Sequence, residues 1–382
     1  MPHTDAFYQW SDRVAALFPG LRPHHARALA EYSFGMALAR CCGLTTVAGH
    51  LAAFLAVGTH ALQQRLRELF RPAAAQRGCA RSEFDPALCF GPLLRWAAAG
   101  HPGKRLVLAL DPTCLTDRFR VLCAAVLYRG CGLPVAWAVQ AADEKGSWND
   151  VWKGLLGRLK EELGEGWSVL VLTDRGLESP ELFGAIVGLG WHPLMRAKAA
   201  GKFRPDGWHK GHAMRGFAAA PGRRWCGAGV AYPTGSRLAC TLLACWGEGH
   251  AEPWLVLTDL PPAGASPAWY AWRMWVEQGF RAVKRGQWQW QRTRMADPAR
   301  AARLWAAVAV ATLWAVEVGG EGRPAELPAV PGPLSALKEG LLRLWAALVR
   351  GEPPPAGKIV HHDWPERPWQ PDPLTEALVD QC

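Results

Sequence analysis

The sequence predicts an α/β fold: a mixed sheet, a β-rich insertion within it, and a helical region in front. Three observations predict it. From Arg105 onward, short apolar runs alternate with amphipathic segments, the pattern of strands crossing over through helices. Between residues 199 and 258, glycine-rich turns separate short alternating runs such as GVAYPT and LACTLLACW, which read as β-structure. Before residue 95 or so, apolar residues recur at helical spacing instead.

The 382 residues suggest two or three structural units. Ala28, Leu29, Tyr32, Met36, Leu38 and Ala39 put a helix over residues 23–42. Thr45 or Thr46 reads as the cap of a second helix, 47–57, that stops at Gly58, and Thr59 as the cap of a third, 59–70. Two short helices broken at a glycine resemble a helix-turn-helix, although a plain helical bundle with a solvated face shares the pattern. On the DNA reading, Arg65 and Arg67 of the third helix are candidate contacts. Residues 71–103, rich in Ala, Gly, Pro and Arg, read as linker.

Residues 106–111, 119–129 and 133–140 read as three strands, the last two joined by a short turn. A capped amphipathic helix over about 147–163 leads to SVLVLTD (168–174), a continuous apolar run typical of a buried strand. Ser179-Pro180-Glu181 opens another helix, and 191–198 reads as a further strand. Helices return over 267–287, 298–318 and 334–349. The apolar stretch 304–318 contains Glu317 and is too short to span a bilayer, so it reads as a core helix and no membrane partner is expected. The resulting division is 1–100 helical and helix-turn-helix-like, 101–200 the first part of the core, 201–262 the β-rich insertion, 263–320 the helical completion of the core, and 321–382 a last helix with an irregular tail.

Forty-three Lys and Arg against 33 Asp and Glu give a net charge of +10, which favours a polyanionic partner. Eleven scattered cysteines without C-x2-C spacing read as free thiols in a reducing cytosol. The first residues show no charged segment followed by an apolar one, so no secretory leader is expected.

Two acids, Asp111 and Asp174, each end a short apolar run. A lone Asp at a strand end is more often a cap than a ligand. If the two strands are neighbours, however, both carboxylates emerge at one sheet edge, where α/β sheets present groups to ligands. Paired acids repel unless a cation neutralises them, and Mg²⁺ takes oxygen ligands while keeping positions open for phosphate. Two such ions, with Mn²⁺ able to substitute, could activate a water or a 3′-hydroxyl and steady the leaving oxygen. No persuasive Ser/His/Asp or Cys/His arrangement competes with that reading.

The third acid is part of the most specific pattern in the chain. Tyr270, Arg273, Glu277 and Lys284 form Tyr-x2-Arg-x3-Glu-x6-Lys, and with only five tyrosines in the sequence a chance match is rare. On one helix these positions share a face. A surface salt-bridge stripe would look similar, with Arg273–Glu277 as an i, i+4 pair. Against it stand Arg281, Lys284, Arg285, Arg292, Arg294, Arg300 and Arg303, which meet only Asp297 in that span. Trp288 and Trp290 interleave with these cations, as a groove for phosphates and unstacked bases would favour.

Through LALDPT, LTDRGLESPELF, EPWLVLTDL and YAWRMWVEQGFRAVKRGQW, the chain resembles bacterial insertion-sequence transposases of the DDE type, in the subgroup marked by the Tyr-Arg-Glu-Lys signature (insertion-sequence-four type). The resemblance covers roughly residues 100–315. It implies an RNase H-like sheet with a β-rich insertion, and a metal-binding catalytic triad of Asp111, Asp174 and Glu277 holding two Mg²⁺ ions. It also implies phosphate contacts from Tyr270, Arg273 and Lys284, with Arg281 and Arg285 beside them. A tryptophan of the insertion stacks a flipped base in relatives; here Trp208, Trp225, Trp246 and Trp254 are candidates. The expected activity is binding of terminal inverted repeats, Mg²⁺-dependent strand cleavage, and joining of the 3′-hydroxyl to target DNA. Two ends must be paired, so a homodimer on double-stranded DNA in the bacterial cytoplasm is expected. A host nuclease or resolvase on the same sheet, or a domesticated DNA-binding protein, are the alternatives.

Overall fold

Strand β1 (Arg105–Leu115) is almost continuously apolar because it lies inside the sheet, with partners on both sides. In the computed structural model, which describes residues 4–76, 82–101, 103–115, 117–320, 335–360 and 364, β1 pairs antiparallel with β2 (Phe119–Tyr128). On its other side it pairs parallel with β4 (Ser168–Thr173). β2 continues antiparallel into β3 (Cys131–Ala141). Beyond β4 comes parallel β5 (His192–Arg196). The sheet is therefore mixed, as the sequence predicts.

The insertion extends this sheet. β10 (Trp254–Thr258) pairs antiparallel with β5, and β9 (Leu238–Cys245), β8 (Arg224–Ala231), β6 (Lys202–Pro205) and the two-residue β7 (His212–Ala213) follow outward. Ten strands run in the order β3-β2-β1-β4-β5-β10-β9-β8-β6-β7.

Helices α1 (Asp5–Leu17), α2 (Pro23–Ala39), α3 (Leu44–Leu55) and α4 (Thr59–Glu68) precede the sheet. α2 and α3 meet at 91° across their break. The capping residues differ from expectation. Gly43 and Gly58, both in extended conformation, hold the N-cap positions, and Thr59 is the first helical residue with no side-chain cap upstream of it. The stretch read as linker contains α5 (Phe90–Ala98), whose Phe90, Leu93, Leu94 and Trp96 are buried. It packs against α6 (Asn149–Leu163), β3 and α9 (Pro298–Gly320), so this part of the stretch belongs to the core. α7 (Pro180–Gly188) starts as expected, with the Ser179 hydroxyl accepting from the Leu182 amide.

α9 is the centre of the core. Taken singly, it is the one helix among the described residues that is long and apolar enough to cross a membrane, and 94% of its apolar window is enclosed by protein. Trp10 of α1 stacks on Trp314 of α9 at 3.9 Å. The buried Glu317 is met by Arg13 and by the Trp96 indole. α10 (Ala336–Arg350) packs on α9, where Gly340 lets the two backbones approach. Residues 321–334 and most of the tail lie outside the described residues.

The segment 267–287, read as one helix, is two. Residues Pro267–Arg273 form a 3-10 turn opened by the Ser266 hydroxyl, and α8 (Met274–Lys284) follows. α8 lies against β1, β2 and β3, with Gly279 facing the backbone of Gly132.

Candidate active site

The parallel pairing of β1 and β4 ends at Leu110 opposite Thr173, so the next residues, Asp111 and Asp174, stand side by side. Asp111 does not end its strand as the sequence suggested. β1 runs four residues further, paired with β2 alone, and Asp111 sits opposite Cys123. Asp174 leaves the sheet and caps the turn Arg175–Leu177 by accepting from the Gly176 amide at 2.9 Å. The expected neighbourhood of the two acids therefore holds, although only one of them is a strand terminus.

α8 brings in the third acid. Arg273, at its N-cap, joins all three: Nη2 lies 2.6 Å from Asp111 Oδ1 and 3.4 Å from Asp174 Oδ2, and Nη1 lies 2.7 Å from Glu277 Oε1. The Arg273 side chain is 11% exposed, and its Nε has no hydrogen-bond partner among the described residues. Burial opposes the charge of Arg273, but the attraction of Asp111 and its neighbours outweighs that and raises its pKa. Asp111 is the buried member of the set. Burial pushes its pKa up to about 7, against the pull of Arg273 and with the repulsion of Asp174 and Glu277 adding to the rise.

Tyr270 sits beneath this cluster. Its ring is buried, and its hydroxyl donates to the Thr173 carbonyl at 3.1 Å, so it supports the residue preceding Asp174. Burial raises its pKa. Because Tyr270 lies in the 3-10 turn and Glu277 in α8, the four signature residues do not form one helical stripe. Tyr270 is inside, Arg273 lies at the acids, Glu277 is open to solvent, and Lys284 is half-buried one helix-end away.

Arg281, Lys284 and Arg285 have no ion-pair partner among the described residues, and Arg281 and Arg285 are exposed. The other cations divide. Arg292 and Arg294 are exposed, whereas Arg303 is buried and donates to the carbonyls of Phe70 and Phe84 and to Glu83. Trp288 and Trp290 also differ from expectation: both are fully buried. The Trp288 indole donates to Thr312, and Trp290 stacks on Phe119 and lies edge-on to Trp305. Their flanking arginines pointed outward, but the apolar α9 claims the rings. No base-stacking groove forms from them.

Arg65 is engaged by the fully buried Glu31, through Nε at 2.8 Å and Nη2 at 2.7 Å, and Arg67 donates to Gln64. Of the four tryptophans in the insertion, Trp225 and Trp246 are buried, and Trp208 packs beside Phe217. Trp254 is half-buried with its ring 5.6 Å from that of Tyr270, the residue beneath the acids. Sequence reasoning passed over Glu252, which binds Arg175 at 2.7 Å and Arg196 at 2.9 Å and so ties the insertion to the turn carrying Asp174. The available signal was an arginine directly after Asp174.

A family model for the transposase DDE domain matches residues 102–314, more than half of the chain. The chain belongs to the transposase DDE domain family. Its mixed sheet with flanking helices is the RNase H-like core that the sequence predicts, entered by a helical region and extended by β-strands. No curated protein matches the chain.

Enzymes of this family act on DNA and use divalent metal ions. The donors here suit such ions: three hard carboxylate oxygens converge on one cationic group. Among the described residues no three His, Cys, Asp or Glu side chains stand together as a ready cluster; the three acids instead each contact the Arg273 guanidinium.

Proposed function

We propose that this chain is a transposase of the Tyr-Arg-Glu-Lys subgroup. It binds the terminal inverted repeats of a mobile element, cleaves the DNA at the element boundary, and joins the freed 3′-hydroxyl to target DNA. The observation that carries this reading is the meeting of Asp111, Asp174 and Glu277 on a single guanidinium, with the unpaired Arg281, Lys284 and Arg285 on the same helix or directly after it.

Asp111, Asp174 and Glu277 are the residues that would hold Mg²⁺, two ions in number, with Mn²⁺ as a substitute. Bound there, such ions supply the activation of water or 3′-hydroxyl and the stabilisation of the leaving oxygen in an in-line displacement. The chain's own residues do the rest. Asp111 fixes the deep end of the site because it is held in a paired strand, while Glu277 on α8 stays open toward incoming DNA. Arg281, Lys284 and Arg285 bind backbone phosphates and set the register of the end, which carries affinity but no sequence information. Trp254 is the insertion tryptophan best situated to receive an unstacked base.

The helical region before residue 100 reads the repeat, with the exposed start of α4 (Thr59, His60, Ala61) available to a groove. Pairing two ends calls for two copies, so the working assembly is a homodimer on duplex DNA, acting in the bacterial cytoplasm at the nucleoid.

The test uses labelled duplexes carrying the repeat from the gene's own flanks, incubated with purified protein in Mg²⁺, Mn²⁺ or EDTA. Metal-dependent cuts at the repeat boundary, followed by joined products when target DNA is added, are expected. Specific binding without cutting in either metal would replace this reading with that of a non-catalytic DNA-binding protein. Cutting without joining would replace it with that of a nuclease.

A further inference from the structure

We infer that Arg273 is the internal counter-cation of the three acids: without metal and DNA it stands in for the metal, and it must turn its donors away before the site can load. This rests on the reading of Asp111, Asp174 and Glu277 as the metal-holding set. Its own ground is geometric. One guanidinium reaches all three acids, through Nη2 to Asp111 and Asp174 and through Nη1 to Glu277. Three carboxylates in a partly buried pocket repel one another unless a positive group lies among them. The planar fork of arginine can serve several acids at once, as the single ammonium of a lysine cannot.

Two features mark the arrangement as a holding state and not a permanent clamp. The Arg273 Nε is buried without a hydrogen-bond partner among the described residues, so the contacts made here leave a donor unmet. Glu277 and Asp174 are 50% and 36% exposed, so two of the three partners can re-form around an ion from the open side. A backbone phosphate, with its several acceptor oxygens, could satisfy all the donors of Arg273, including Nε. Metal and DNA would then help each other bind, because each removes the reason for Arg273 to stay where it is. By linkage the help is reciprocal.

The experiment measures Mn²⁺ binding by electron spin resonance, with and without a duplex carrying the element end, at a pH where the protein does not cut. Wild type should bind Mn²⁺ weakly alone and about tenfold more tightly with the duplex. Arg273→Gln should bind Mn²⁺ about tenfold more tightly than wild type without DNA, and adding duplex should bring little further gain. Arg273→Lys, which keeps the charge but not the fork, should fall between the two, and it serves if the glutamine variant fails to fold. A merely structural role would give the opposite sign, since losing a scaffold weakens a metal site. Equal or weaker Mn²⁺ binding by both variants therefore overturns the inference. The underlying site is judged separately: if Glu277→Gln leaves wild-type Mn²⁺ binding unchanged, the triad reading itself fails, whatever the arginine variants do.

Discussion

The Tyr270 hydroxyl donates to the Thr173 carbonyl across 97 residues of chain, and Thr173 is the residue that hands the backbone on to Asp174. One buried hydrogen bond thus fastens the segment leading into α8 to the strand end carrying an acid. Tyr270→Phe should cost about 1 kcal/mol of stability. It should also slow cleavage while leaving duplex affinity and its salt dependence unchanged. Denaturant unfolding and binding titrations across salt check this. Weakened duplex binding with intact stability would assign the hydroxyl to a phosphate instead.

Gly279 controls how closely α8 approaches the sheet. A Cβ there would come within 2.9 Å of the Gly132 nitrogen and 3.0 Å of its oxygen, and backbone cannot move aside as a flexible side chain can. Gly279→Ala should lower stability by about 1–3 kcal/mol. It should also impair cleavage, because Glu277 and Arg273 ride on the same helix. Gly184 on α7 has open space around its Cβ, so Gly184→Ala should be neutral, or stabilising by up to about 1 kcal/mol. Similar unfolding midpoints for the two variants would contradict the close-approach account.

Arg281, Lys284 and Arg285 should act additively through phosphates. Each change to Ala should reduce the slope of log affinity against log salt by about 1, equally for end and unrelated duplexes. By contrast, Arg303→Ala should chiefly destabilise the fold, since it removes a buried cation from two carbonyls and Glu83. Salt titrations on an end duplex separate these outcomes. An unchanged slope for Lys284→Ala would remove it from the DNA surface.

His25 gives a pH signature to the helical region. Burial, together with the charges of His24 and Arg22 and against the pull of the Ser82 carbonyl, lowers its pKa from the usual value. A histidine kept neutral in the fold but protonated in the unfolded chain contributes stability that is present above about pH 6.5 and lost as pH falls through the folded value. The melting temperature should therefore drop on acidification, and His25→Phe should show a shallower drop over the same window. Identical profiles would show that His25 does not contribute to acid sensitivity.

Much of the core was legible because its signals are local. Val169–Leu172 is apolar without interruption, and β4 around it is a strand covered on both faces. Asp111 and Asp174 each read as ending an apolar run, but that their strands pair in parallel, with the pairing stopping just before both acids, is visible only in the fold. What could not be read depends on partners far along the chain. Trp288 and Trp290 stand among arginines in sequence, and only α9 and Phe119 reveal that they point inward. Arg65 looked like a free cation on a DNA-facing helix, yet a buried Glu31, 34 residues earlier, holds it. α5 lies within a stretch whose Ala, Gly, Pro and Arg content reads as linker, and only its packing on α6, β3 and α9 shows it to be core. Arg273 was read as a phosphate contact, and nothing local says that it also spans all three acids.

The most direct measurement is cleavage of an end duplex by Asp111→Asn, Asp174→Asn and Glu277→Gln, with duplex binding in Ca²⁺ recorded beside it. The account predicts that each variant binds the duplex about as well as wild type and cuts it slower by about a thousandfold or more, as loss of a group acting directly at the reacting centre does. Near-normal cutting by any one of the three would contradict the assignment of these carboxylates as the catalytic set.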